Sequence, residues 1–378
     1  MTEPRGTTPG PGVPSVSVVI PTLNEAGNLP KLVPAIATAL AGRSFELIVV
    51  DDNSTDGTAG IALDLAKQYP LRLIERDRPD GLSGAVLRGL SEARGEIAVV
   101  MDADFQHPPE FLPQMIAPLE ANEADFVVGS RHVSGASTDV TWSTFRRLNS
   151  GVARMLAMPL CGNVRDTMSG FLGMTRRAWT SSTGLAPLGY KIGLEFLCKC
   201  PGMRVREIPI HFGLREKGES KLSLREQFRY LEHLSRLYDY KFPRLSPIVK
   251  FAITFGLTWL LALPIFLTLV TLHWHESAAF TAALLFSHSV HALLHWRYLN
   301  TEGMPAVVSH PWLGFLGMIV SELLAGNLVL VWLLYELRSP TPVKIFTIAT
   351  IVTAICRYML RKELRHDLRS LKAALQSS

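Results

Sequence analysis

Apolar residues along the first two thirds of the chain follow two periods. "SVSVVIPTLNE" at 15–25 is an apolar run closing on a Pro-Thr turn, and Asn28 to Leu40 follows with helical spacing. "FELIVVDDNSTDGTAGIALDLA" repeats the plan, with a strand to Val50, a polar turn and a helix capped by Ser or Thr. The helical pattern around "GAVLRGLSEA" (84–93) runs into the strand "IAVVMDAD" and on to a Pro-initiated helix at 109–121; "DFVVGSR" (125–131) is a fourth strand. Near-continuous Val/Ile strands alternating with helices predict an α/β domain whose mostly parallel sheet is covered on both faces. Ligands bind such sheets at the carboxyl ends of the strands, where the polar clusters "PTLNE", "DDNSTD", "DADFQH" and "GSRH" gather.

The pattern changes after residue 217. Over 218–247, Leu222, Leu224, Phe228, Leu231, Leu234, Leu237 and Tyr238 recur every three or four positions among Arg, Lys and Glu. That spacing predicts amphipathic helix, placed on a membrane surface by the apolar stretches after it; packing into a core is the competing reading. Those stretches are four, at 248–272, 278–299, 312–335 and 343–360, each close to the ~20 residues that cross a bilayer. The chain therefore divides into a disordered segment (1–15), an α/β domain (16–217), interface helices (218–247), a four-span all-α transmembrane domain (248–360) and a basic tail (361–378).

Composition agrees with a membrane partner. Of 378 residues, 48% are hydrophobic and the mean hydropathy is positive, at +0.20, which together are too apolar for an ordinary soluble chain. The net charge of +5 does not point to nucleic acid, because the basic residues concentrate beside the apolar stretches and in the tail, where anionic lipid accounts for them. "MTEPRGTTPGPGVPS" lacks an apolar signal core, so the first domain is expected in the cytosol. Arg357, Arg361, Lys362, Arg365, Arg369 and Lys372 place the C-terminus there too, which an even number of spans permits. Cys161, Cys198, Cys200 and Cys356 lack metal-ligand spacing and read as reduced structural thiols.

The chemistry concentrates in "VVMDADFQHPPE" (99–110), an apolar strand ending in two aspartates. Burying an ionised carboxylate without a partner is costly, so a cation is expected beside Asp102 and Asp104. Hard oxygen ligands of this kind suit Mg²⁺ or Mn²⁺, which combine a carboxylate or two with phosphate oxygens of a substrate. Taken alone, "DAD" and "DDNSTDGT" also read as ordinary turn or capping sequence.

"VVIPTLNE", "VVDDNSTDGT", "DADFQHPPE" and "GSRHVSG", in this order, resemble the nucleotide-binding half of family 2 glycosyltransferases of GT-A fold, and among them the dolichol-phosphate (polyprenyl-phosphate) mannose synthases. The resemblance continues through "RRLNSGVARML", "VRDTMSGFLGMTRRAW" and "FGLREKGESKLS", covering about residues 16–245. The four apolar stretches resemble the four-helix membrane module of some members. By position, the resemblance implies that Pro21, Leu23 and Glu25 form the nucleoside pocket, with Val50 and Asp52 at base and ribose. It implies that Asp102, Ala103, Asp104 and Gln106 surround the diphosphate, and that Asp102, Asp104 and Gln106 hold the metal. Phe105 stands where the family commonly has Leu. Arg131, Arg146, Ser150, Arg215 and Lys221 match positions that hold the acceptor phosphate, Arg146 being preferred to Arg147 because its four-residue step to Ser150 fits. Asp102, Asp104, Arg131 and Arg215 are the residues expected to carry catalysis.

The implied reaction transfers a hexose, with mannose from GDP-mannose favoured, onto dolichyl or polyprenyl phosphate at the bilayer. A lipid monophosphate is already anionic near neutral pH, so no general base is required, and single displacement inverts the anomeric centre. The alternatives are the same transfer from UDP-glucose or a UDP-N-acetylhexosamine, or a lipid-sugar translocator or scaffold with an inactive head. In the second apolar stretch His288, His291 and His295 share one helical face, and Glu322 and Asn327 lie in the third. Hydrogen bonds that fix the bundle are favoured over a functional role for them.

Overall fold

The computed structural model describes residues 14–77, 81–138, 144–182, 184–189, 191–200, 202–213, 224–294, 311–336 and 341–355. Arg215, Lys221, His295, Cys356 and the basic tail lie outside them, and so do the side chains of Arg146, Arg147, His288, His291 and Glu322. The chain forms two compact units, Met1–Lys241 and Phe242–Ser378.

The first unit is built on a seven-stranded sheet ordered β3-β2-β1-β4-β7-β5-β8. Its strands are β1 (Val16–Thr22), β2 (Phe45–Asp51), β3 (Leu71–Glu75), β4 (Ile97–Val100), β5 (Phe126–Ser130), β7 (Leu172–Thr175) and β8 (Val205–Pro209). Every pairing is parallel except the two made by β7, so the mostly parallel sheet of a GT-A domain is present. A two-stranded ribbon, β6 (Ser137–Thr138) with β9 (His211–Phe212), stands apart from it. The central strands β1 and β4 are buried along their whole length. That burial is why they read as unbroken apolar runs rather than alternating ones.

Helices α1 (Leu29–Ala39), α2 (Thr58–Leu65), α3 (Leu82–Glu92) and α4 (Leu112–Glu120) are the crossovers. In α1 the buried residues Leu29, Leu32, Val33 and Ile36 make one helical stripe. Gly89 of α3 has to be glycine, because a Cβ there would lie 2.3 Å from a Val19 methyl and 3.1 Å from one of Val50. The close approach seats α3 directly on β1 and β2. Three helices follow: α5 (Thr144–Cys161), α6 (Arg176–Thr180) and α7 (Ile192–Lys199).

Helix α8 (Leu224–Lys241) belongs to the first unit, and its apolar stripe is partly buried and partly exposed. Leu234 and Leu237 are buried, whereas Phe228 and Leu231 are exposed. His233, fully buried, meets the buried Glu195 of α7 at 2.6 Å, and the Tyr230 and Tyr238 hydroxyls donate to the Ala153 and Leu156 carbonyls of α5. One side of α8 is core, and Phe228 and Leu231 lie outside it.

The second unit contains α9 (Ser246–Thr271), α10 (Glu276–Leu294), α11 (Pro311–Glu336) and α12 (Pro342–Ile355). Phe266 stacks on Phe346 at 4.8 Å and Phe280 meets Phe346 edge-on at 5.7 Å. Asn327 of α11 donates to the Thr281 hydroxyl of α10 at 2.9 Å, an interhelical hydrogen bond of the kind expected to fix the bundle. Helices coincide with all four apolar stretches, but among the described residues only α9 is long and apolar enough to cross a membrane by length and composition. The four-span module is thus not confirmed among the described residues, where α9 is the one candidate span.

Candidate functional site

The strand order 3-2-1-4 makes the chain reverse direction across the sheet between β1 and β4. A crevice opens at the carboxyl ends of strands at such a switch point. Pro21 pairs in register with Val50 across β1 and β2. The Asp52 N–H donates to the Thr22 carbonyl, and the Met101 N–H to that of Val19. Three of the polar clusters found in the sequence are therefore adjacent at one edge.

The turn after β2 is a brace. Asp51 accepts from the Thr22 hydroxyl (2.9 Å) and from the N–H and hydroxyl of Ser54 (2.9 and 2.6 Å). Asp56 accepts from the N–H groups of Ala26 and Thr58, tying the turn after β1 to the start of α2. Asn24 and Asn53 adopt left-handed backbone (φ +59° and +65°), which Asn tolerates better than most residues. Asp52 is buried; one carboxylate oxygen receives Arg76 Nη1 at 2.8 Å and the other the Gly81 N–H at 3.1 Å. Each oxygen has a second lone pair to offer a ligand. Glu25 accepts from the Asn28 amide at 2.6 Å, and Leu23 is exposed beside it.

Beyond β4, Asp104 is buried and its Oδ1 accepts the Gln106 N–H at 3.1 Å. Phe105 between them takes φ +63° and packs against the core, so the loop turns sharply at the carboxylates. Asp102 is partly exposed, and its N–H donates to Nδ1 of buried His107 at 3.0 Å. The His107 ring stacks on Phe171 (5.2 Å) and meets Phe212 edge-on (6.1 Å). Gly170 lies against this loop: a Cβ there would be 3.2 Å from His107 Cε1 and 3.5 Å from Asp102 Oδ2.

Arg131, just past β5, is gripped by Asp166. Its N–H and Nε reach Asp166 Oδ2 at 2.9 and 2.8 Å, and Nη2 reaches Oδ1 at 2.8 Å. The guanidinium also lies over the Phe212 ring at 4.9 Å. Burial pushes the Asp166 carboxyl up, but Arg131 beside it outweighs that and holds it at about 2. One edge of the guanidinium fork is thus spent on Asp166, while Nη1 takes no part in that pair. Lys191, directly before α7, donates from Nζ to the Met168 carbonyl at 3.1 Å. Burial, then the charge of Arg131, lower its amine to about 7, against the opposing pull of Asp166 and Asp102.

The structure brings together Pro21 and Val50, near the carboxyl ends of strands β1 and β2, with Leu23, Glu25, Asp52, Asp102, Ala103, Asp104 and Gln106 on the loops that follow β1, β2 and β4. Arg131 follows β5, separated from β4 in the sheet by β7. Ser150 lies on α5, one turn beyond the backbone position of Arg146. Asp166, Gly170, His107 and Lys191 were not singled out from the sequence, although "DTMSGF" lies inside a motif that was. On α5 an apolar row of Leu148, Val152, Met155 and Met158 is exposed.

Among the described residues, no group of three His, Cys, Asp or Glu could hold a metal by itself. Two carboxylates with a side-chain amide oxygen do suit Mg²⁺ or Mn²⁺ when phosphate oxygens of a substrate complete the shell. Asp102, Asp104 and Gln106 fit such an ion in that company.

Residues 17–182 match the family described as glycosyl transferase family 2. The dolichol-phosphate mannosyltransferase of Pyrococcus furiosus is 42% identical over 65% of this chain and 69% of its own length. Those of Mycosarcoma maydis and Saccharomyces cerevisiae are 41% and 39% identical, over 61% and 60% of this chain and 81% and 88% of theirs. A glucosyl-3-phosphoglycerate synthase of Mycobacterium tuberculosis, solved with Mn²⁺, UDP-glucose and glycerol 3-phosphate, is 23% identical, covers 62% of this chain and 86% of its own, and has a TM-score of 0.46. That likeness is too distant to inform the ligands of this chain. The extent and level of identity with the mannosyltransferases show that the chain belongs to glycosyl transferase family 2.

Proposed function

We propose that the chain transfers mannose from GDP-mannose onto dolichyl or another polyprenyl phosphate, with inversion, giving a β-linked lipid phosphate sugar. The observation that carries this reading is the carboxylate loop Asp102–Gln106 at the switch point between β1 and β4, in a chain 42% identical to a dolichol-phosphate mannosyltransferase. The nucleoside sits over the ends of β1 and β2, with Asp52 held in place by Arg76 and Gly81 to accept from a base or ribose. The diphosphate lies beside Asp102, Ala103 and Asp104. Asp102, Asp104 and Gln106 would hold Mg²⁺ or Mn²⁺, which when bound would supply positive charge to the departing nucleoside diphosphate.

The acceptor phosphate is the nucleophile and brings its own charge, so the protein's task is alignment. Arg131, fixed by Asp166, presents its remaining donors to one phosphate oxygen, and Arg146, Ser150, Arg215 and Lys221 complete the acceptor cradle. Arginine suits this role because its planar donors match phosphate geometry. The exposed apolar rows of α5 and α8 rest on the bilayer, which brings the lipid phosphate to the site, and α9 with the three helices after it spans the membrane with both termini in the cytosol.

Membranes holding the chain should incorporate labelled mannose into polyprenyl phosphate from GDP-mannose and not labelled sugar from UDP-glucose or a UDP-N-acetylhexosamine. Incorporation from a UDP-sugar alone would replace the donor, and none from any donor would sink the transferase reading.

A further inference from the structure

We infer that Lys191 is a further phosphate-binding residue of the transfer site, its amine set by the segment that joins Arg131 to the carboxylate loop. This deepens the transferase reading and rests on it. The segment is Asp166–Gly170. At one end Asp166 grips Arg131; at the other, Gly170 lies against the Asp102 carboxylate and His107. Between them the Met168 carbonyl takes the Lys191 amine, and the Ser169 hydroxyl anchors the segment to the Gly129 carbonyl on β5 at 2.7 Å. Helix α7 is held equally close, since a Cβ on Gly193 would lie 3.2 Å from the Ser169 carbonyl. The amine is thus fixed from both its own helix and its partner segment.

Charge explains what such a lysine does. Arg131 and Asp166 largely cancel each other, and Asp102 and Asp104 add negative charge. Glu195 and Lys199 on α7 are paired with each other, Glu195 also with His233, and His107 faces Asp102. An anionic phosphate arriving here needs cations. A lysine whose amine is drawn down to about 7 by burial and Arg131 gains a proton as the phosphate approaches, supplying charge only when substrate is present. An ordinary surface lysine is protonated throughout this range.

The phosphate can belong to the donor's diphosphate or to the lipid, and two probes separate them. The full chain in detergent is titrated calorimetrically with GDP and, separately, with farnesyl phosphate at pH 8, in two buffers of different ionisation enthalpy. Both probes are fully ionised there, with a second phosphate pKa of about 6, while roughly nine amines in ten are neutral one unit above about 7. The wild type is expected to take up most of one proton on binding one of the probes. Lys191→Met should lose that uptake and bind the same probe roughly tenfold or more weakly, as loss of a charge-assisted hydrogen bond implies. Lys191→Arg should keep most of the affinity and take up no proton. A loss confined to GDP assigns the amine to the donor, and one confined to farnesyl phosphate to the acceptor. Wild-type affinity for both probes in a folded Lys191→Met variant overturns the inference. Should that variant not fold, Lys191→Arg decides: wild-type proton uptake overturns the role, its absence supports it. Failure of the wild type itself to bind either probe overturns the transferase reading, and this role with it, before any variant is compared.

Discussion

Replacing Asp166 by Asn tests the link between the fold and the acceptor side of the site. The carboxylate is buried and receives three hydrogen bonds from Arg131 between 2.8 and 2.9 Å. Held at about 2 against a usual 3.8, it contributes about 2 kcal/mol of stability at neutral pH, since lowering a pKa by one is worth about 1.4 kcal/mol. Removing one partner of a buried pair costs about 3–5 kcal/mol; Asn retains one acceptor oxygen, so the expected loss is about 2–4 kcal/mol. For a unit of this size about 2 kcal/mol corresponds to a fall of roughly 4–8 °C in Tm, readable by intrinsic fluorescence of the full chain in detergent. The sign with pH is fixed. The folded pKa is depressed, so the contribution is complete above about pH 4 and is lost as pH falls through about 2. The gap between wild type and Asp166→Asn should stay constant from about pH 5 to 8 and close below about pH 4. A freed Arg131 should also lower kcat/KM for the lipid acceptor more than it weakens GDP binding. A variant within about 0.5 kcal/mol of wild type, or a gap that widens in acid, would refute the reasoning.

The same geometry sets three further outcomes. Asp104→Asn should abolish transfer while leaving the protein folded and membrane-inserted, and excess EDTA should do the same to the wild type; near-normal turnover in either case removes the metal from the mechanism. Gly170→Ala places a methyl 3.2 Å from the His107 ring and 3.5 Å from the Asp102 carboxylate, so it should reduce transfer by roughly tenfold or more with little change in Tm, about 1.4 kcal/mol at the barrier. Unchanged kinetics in that variant would show that the loop yields freely. A chain ending at Pro247 retains α8 and should transfer mannose to a detergent-dispersed short-chain acceptor; a folded but inactive product would make the second unit part of the acceptor site.

The sequence was most legible where burial is complete. Strands β1, β2, β4 and β5 are covered on both faces and read as apolar runs, and their polar ends mark the site in the sequence alone. Strand β3, "LRLIE", lies at the sheet edge, and its alternation with charge hid it. Strand β8, "VREIP", carries Arg206 and Glu207 in its middle as β3 carries charge, and β7 runs antiparallel between β4 and β5, a connection that no local pattern encodes. For α8, periodicity gave the helix but could not choose between core and interface, because a stripe of this spacing is compatible with either; Leu234 and Leu237 of it are buried in the core. The exposed row on α5 escaped notice because its apolar residues are interspersed with arginines, glycine and serine, a mixture that reads as neither a core helix nor a span.

The residues of the site divide in the same way. Groups on strand-end loops could be named because strand, turn and helix follow one another within a few positions. The groups that hold them could not. Asp166 is 35 residues from Arg131, and Lys191 is 23 from the carbonyl it binds; across such distances sequence alone does not say which side chains meet. An arginine meant to bind phosphate has to be kept still before the phosphate arrives, and a carboxylate spent on that task looks in the sequence like any other polar loop residue. On the proposed function, Asp166 thereby takes one edge of the guanidinium fork away from the substrate in return for its position. On that reading the substrate phosphates then draw their remaining contacts from other cations, which is the role inferred above for the lysine joined to the same short segment.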